Sequence, residues 1–144
     1  MKYTILNQRN MIFTTTDTHF LIAAIVIISS ALVFYTIGVW GEKFQHQLKG
    51  WHLLFFILGL IADTAGTTLM AHIARLTGVH DMLHTITGFI AIILMLIHAS
   101  WALFIYFKGD EQAKQHFHRF SIFVWCIWLI PYFIVVYICL HSHM

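Results

Sequence analysis

Charge is what this chain has least of: Asp, Glu, Lys and Arg together make up 10% of its 144 residues, against 60% apolar residues. Soluble domains carry roughly 25% charged residues, and a soluble fold of this size has no interior large enough for so much apolar surface. Proline occurs once and cysteine twice, so neither a proline-rich linker nor a disulfide framework is available. Cys126 and Cys139 lie thirteen residues apart on one apolar run, too far for a bridge. They read as small buried hydrophobes. A net charge of +2 without a basic stripe excludes nucleic acid as a partner. No nucleotide motif and no soluble catalytic region is present. Any reaction would therefore occur within the apolar body itself, and the reading leans away from an enzyme.

What the chain does have is four long apolar runs, at about 19–40, 51–72, 82–107 and 117–140. Each reaches the roughly 20 helical residues that cross a hydrocarbon core about 30 Å thick. The connections 41–50, 73–81 and 108–116 are short, and short connections make neighbouring helices antiparallel. The expected fold is an all-α membrane protein, an antiparallel four-transmembrane-helix bundle, with residues 1–144 as a single domain. The first run follows a polar patch, Thr14 to Asp17, with no cleavage site, and reads as a retained span.

Trp40, Trp51, Tyr106 and Tyr137 sit near span ends, as interfacial anchors do. Pro131 is expected to kink the fourth helix. Gly59, Ala62 and Gly66 give the second helix a small-residue face that admits a close neighbouring helix or a flat ligand. Lys43, Lys49, Lys108, Lys114 and Arg119 flank the first and third connections, against Lys2, Arg9 and Arg75 on the other side. By the positive-inside rule both termini face outward.

Histidine is the outlier, with eleven against eight Lys and Arg combined. Ionisable groups at membrane depth are costly and point to function. His84 and His98 are fourteen residues apart on the third run, close to four turns, which puts them on one face about 21 Å apart. That spacing suits two stacked haems, each iron needing a second imidazole from another helix. Near the outer surface the best pair is His72 with His84. Near the inner surface it is His98 with His52 or His118, or one open iron position. His19, His46, His116, His141 and His143 read as interfacial side chains facing water and headgroups.

Other constellations compete. His80 and His84 stand at i and i+4 around Asp81, with His72 across the connection, a spacing that chelates zinc, iron or copper without porphyrin. A bare metal-binding or transport site using His72, His80, His84 and Asp63 is therefore the alternative. Asp63, mid-span beside Thr64 and Thr67, reads as a proton path, a cofactor anchor or a structural hydrogen-bond acceptor. Arg75 is a candidate partner for a haem propionate. Trp101, Trp125 and Trp128 read as packing or lipid-facing residues. A third class is an assembly factor for a respiratory complex.

The stretches WHLLFFILGLIADTAGTT (51–68), RLTGVHDMLHTITGFIAIILMLIHASWA (75–102) and FHRFSIFVWCIWLIPY (117–132) resemble the HsmA family of small bacterial membrane proteins. The resemblance covers the second to fourth helices. It implies haem binding in the cytoplasmic membrane, with a role in tolerating haem and oxidative stress. The matching positions are His52, His84, His98 and His118, with Asp63 and Arg75 as supporting polar groups, and the resemblance leaves the ligand pairs where the spacing left them. The resulting expectation is a membrane b-type protein holding one or two haem b (heme b) groups. It would sequester haem or pass electrons, with quinone and reactive oxygen species as candidate reactants and self-association left open.

Overall fold

The computed structural model describes the backbone of residues 2–77 and 82–141, and side chains over 18–76, 82, 85–134 and 137. Four helices account for nearly all of it: α1 (Lys2–Gln45), α2 (Gly50–Thr77), α3 (Met82–Lys108) and α4 (Glu111–His141). Each contains a stretch long and apolar enough to cross a membrane, and no strand occurs among the described residues. This is the architecture of a multi-pass membrane protein. Every helix runs beyond its expected span, most consequentially α1, which continues past Trp40 to Gln45. α4 passes through Pro131 as one helix.

Local chemistry sets the helix ends on the side of the first and third connections. His46 takes a left-handed conformation (φ 49°) directly after α1, the C-terminal stop that usually falls to glycine. Asp110 caps α4, its Oδ1 accepting from the Ala113 N–H at 2.7 Å. The two connections are tied together: the Leu48 N–H donates to the Lys114 carbonyl, and Gln47 Nε2 donates to Glu111 Oε2 at 2.7 Å.

α1 packs on α2 and α4, and α3 packs on the same two helices, so the four close into a ring. Shared polar layers give the antiparallel sense directly. Glu42 of α1 meets Ser121 of α4, and Tyr35, seven residues earlier, meets Trp128, seven residues later. Two apolar clusters fill the interior. One centres on Phe56, Val39 and Phe117, the other on Tyr35, Met95 and Trp128. The outward faces are also apolar, with Val26, Ile61 and Phe123 each about 60% exposed (61%, 61% and 62%). That inverts the soluble pattern and suits a lipid surround.

The closest helix pair is α1–α2, and glycine makes it possible. A methyl group on Gly59 would lie 2.5 Å from the Tyr35 ring, and one on Gly66 would collide with the Ile28 side chain and approach its backbone nitrogen at 3.2 Å. The small-residue face of α2 thus receives a neighbouring helix. Gly88 of α3 has nothing within 4 Å of the same position. Gly66→Val is expected to lower unfolding stability by about 1–3 kcal/mol. Gly88→Ala should leave it unchanged or raise it by up to about 1 kcal/mol. Thermal unfolding in detergent separates the two.

Candidate functional site: buried polar layers and a histidine cleft

Two polar layers cross the interior, separated by two helical turns, about 10 Å. In the deeper one Asp63 is 4% exposed and accepts at Oδ2 from Trp128 Nε1 at 2.7 Å, with the Tyr35 hydroxyl at 3.5 Å. The Tyr35 and Trp128 rings meet edge-on at 5.1 Å. A mid-membrane carboxylate is thus held by donors from α1 beside it and α4 diagonally across the ring, the structural role among those open for it. Between the layers Trp125 Nε1 donates to Thr36 Oγ1 at 3.2 Å.

The second layer holds Glu42, His98 and Ser121, all fully buried. Ser121 Oγ donates to Glu42 Oε2 at 2.7 Å, and His98 Nε2 lies 3.1 Å from the same Oγ. With its proton committed to the carboxylate, the hydroxyl accepts from His98, so the imidazole carries its proton on Nε2. Aromatic rings enclose it: Phe56 at 4.7 Å, Phe117 stacked at 5.5 Å and Phe120 at 5.7 Å. Glu42 Oε1 and His98 Nδ1 are buried with no hydrogen-bond partner.

His52 is equally buried but does a different job. Its Nδ1 accepts from the Lys49 N–H at 3.0 Å, while its own N–H donates to the Lys49 carbonyl at 3.1 Å. This is one half of a capping box at the start of α2, with imidazole where Glu or Gln is usual and the backbone carbonyl of Lys49 in place of an N-cap side chain. The accepting Nδ1 forces the ring proton onto Nε2, a buried donor with no partner. A metal-binding imidazole needs the reverse, a lone pair toward the metal and a proton donated behind it. As arranged, His52 offers no lone pair at Nε2, whereas His98 gives its Nε2 proton to Ser121 and keeps a lone pair at Nδ1 among the rings of Phe56, Phe117 and Phe120.

His118 has the arrangement that metal ligation needs. Its Nδ1 lies 2.7 Å from the Gln115 carbonyl, which can only accept, so the proton sits on Nδ1 and Nε2 keeps its lone pair. The ring faces that of His46 at 6.1 Å and 87°. Both line a cleft of about 570 Å³ with His116, Arg119, Gln45, Gln47 and Gln115, at the bundle end carrying the first and third connections. The cleft is open to the outside, and every residue lining it is polar or charged.

The remaining expected site residues do not converge. His72 is exposed, in a lipid-facing groove of α2 with Leu60, Ile61, Thr64 and Thr68. Asp63 is nine residues away, half a turn out of phase, and turned inward. The two do not form one metal site. Arg75 is also exposed. His80 and Asp81 lie outside the described residues, as does the side chain of His84, and with them the outer His72–His84 pair. No group of three or more His, Cys, Asp or Glu poised for a bare metal occurs among the described residues.

The sequence reading missed Glu42 and Ser121, while His46, read as an interfacial side chain, is exposed. Glu42 fell in what looked like a connection, and a lone serine in an apolar run carries no signal. Comparison of the chain with family models, curated proteins and solved structures finds no match.

Asp63→Leu, which strands the Trp128 N–H, is expected to cost about 1–3 kcal/mol of unfolding free energy. Asp63→Asn keeps a carbonyl acceptor and should cost less than half as much in the same denaturation experiment.

Proposed function

We propose that this chain is a membrane haem-binding protein, with His118 as the iron ligand and His46 as the facing imidazole. The observation that carries the reading is the His118 ring, its proton held by the Gln115 carbonyl and its partner ring 6.1 Å away. Two imidazoles sharing one metal, with metal–nitrogen bonds of about 2.0 Å, have ring centres roughly 5–6.5 Å apart. Arg119 lines the same cleft and suits a propionate, since its guanidinium pairs with carboxylates in a fork geometry. These donors suit an iron and a propionate, in a cleft whose lining is polar throughout. The resemblance of the second to fourth helices to the HsmA family supports the same cofactor.

Bound haem would supply a redox-active iron. The protein's part would be to hold it through the His118 imidazole and the Arg119 guanidinium. Lys43, Lys49, Lys108 and Lys114 mark the cleft end as the cytoplasmic face under the positive-inside rule. In the cytoplasmic membrane of a bacterium a cleft there would meet haem from the cell interior. An open cleft suits sequestration and hand-over better than fixed electron transfer, which would draw on quinone. A second chain could complete the coordination or leave it as it is.

The test is a haemin titration of the detergent-purified, haem-free protein, followed by oxidised and reduced spectra and a pyridine haemochrome count. A Soret band with sharp reduced α and β bands is expected. His118→Ala should weaken binding on the order of tenfold or more, and Arg119→Gln should weaken it with the spectrum unchanged. A protein that stays colourless sinks the haem reading, and binding of copper or zinc lost in His118→Ala would replace it with a bare metal site. Full haem binding in His118→Ala, with loss on replacing His84 and His98, would move the ligands to α3.

A further inference from the structure

The Glu42–Ser121–His98 chain lies outside the cleft and takes no part in the proposed haem site. Three helices each contribute one polar side chain to it: α1 gives Glu42, α4 gives Ser121 and α3 gives His98. All three are fully buried, and the hydroxyl sits between imidazole and carboxylate rather than beside either. A catalytic serine triad has a different order, with the acid on the imidazole and the serine free to attack. Here the serine is pinned at both lone-pair and proton, so it is no nucleophile. What such an order suits is carrying a proton through a hydroxyl.

The two ends of the chain make this specific. Glu42 Oε1 and His98 Nδ1 are both buried with no partner. A buried lone pair without a hydrogen bond is costly, and each is a place for a proton to arrive or leave. We propose that Glu42, Ser121 and His98 form a proton relay across the inner half of the bundle, running between His98 Nδ1 and Glu42. The step balances without any other reactant. A proton from water bonds to His98 Nδ1 once the flanking rings of Phe56, Phe117 and Phe120 move to admit it. The Nε2–H bond breaks and its proton passes to Ser121 Oγ. The original Ser121 O–H bond breaks and its proton passes to Glu42 Oε2. One proton has entered, the carboxylate has become a carboxylic acid, and the imidazole is again neutral but carries its proton on Nδ1. Each hydrogen bond then runs the other way, from Glu42 to Ser121 and from Ser121 to His98.

The surroundings favour passage through the hydroxyl over leakage elsewhere. Phe56, Phe117 and Phe120 surround the imidazole and offer no competing acceptor. From α2 the titratable group at this end is His52, whose Nδ1 is held by the Lys49 N–H and whose Nε2 carries a proton. Asp63 and Tyr35 belong to the other layer, where Trp128 holds the carboxylate.

The experiment uses the haem-free full chain in lipid nanodiscs, so that its failure says nothing about haem. Difference infrared spectra with isotope-labelled glutamate follow the Glu42 carboxylic acid, identified by its absence in Glu42→Gln. Nitrogen-15 NMR of labelled histidine follows the His98 ring. On lowering pH, the Glu42 acid band should appear at the same midpoint at which His98 changes from the Nε2–H to the neutral Nδ1–H form. Ser121→Ala should separate the two events, and Ser121→Thr, which keeps the hydroxyl, should rejoin them. An imidazolium at His98 in the wild type, or coupling that survives in Ser121→Ala, overturns the relay. So does a His98 ring that stays Nε2–H while Glu42 titrates.

Discussion

A bilayer core gives a polar side chain no water to fall back on, so each buried donor or acceptor must find its partner on another helix. That constraint organises this bundle more than any apolar contact does. Lipid tails are as apolar as leucine, so apolar burial alone gives helices little reason to prefer one another. Glu42 can face inward only because Ser121 arrives from α4, and Asp63 only because Trp128 and Tyr35 do. The glycine contacts of α2 act on the same problem from the other side. By letting α1 approach closely they bring the Tyr35 hydroxyl within reach of Asp63.

Histidine serves three different ends in one small chain, and hydrogen-bond direction separates them. His52 accepts at Nδ1 and finishes a helix end. His98 is the proton-bearing end of a buried chain. His118 gives its Nδ1 proton to a carbonyl and keeps a lone pair. Burial would have grouped the first two and set the third apart. The direction of each bond groups them differently.

The fold was legible because a membrane span writes itself in composition: about 20 apolar residues in a row have few other readings. Gly59 and Gly66 likewise announced a close approach, though not which helix would make it. The site was harder. His98 stands out as an ionisable group inside an apolar run and reads as an iron ligand; the structure gives it Ser121 as a hydrogen-bond partner. The identity of that partner was hidden, because a serine hydroxyl barely changes the hydropathy of its surroundings. Glu42 was lost through a helix end: reading α1 as stopping at Trp40 put the carboxylate in a connection, whereas five further residues carry it inside. His52 misled in the opposite direction. An imidazole in a capping box looks, in sequence, the same as one bound to iron.

The seven-residue repeat of the two polar layers has a mechanical consequence. Sliding α4 along α1 by one turn, about 5.4 Å, would pull Ser121 from Glu42 and Trp128 from Asp63 in the same stroke. Two latches that release only together make piston motion expensive. The two-residue connection 109–110 holds α3 to α4 at one end. Motion of α4 along α1 is thus locked at two depths at once.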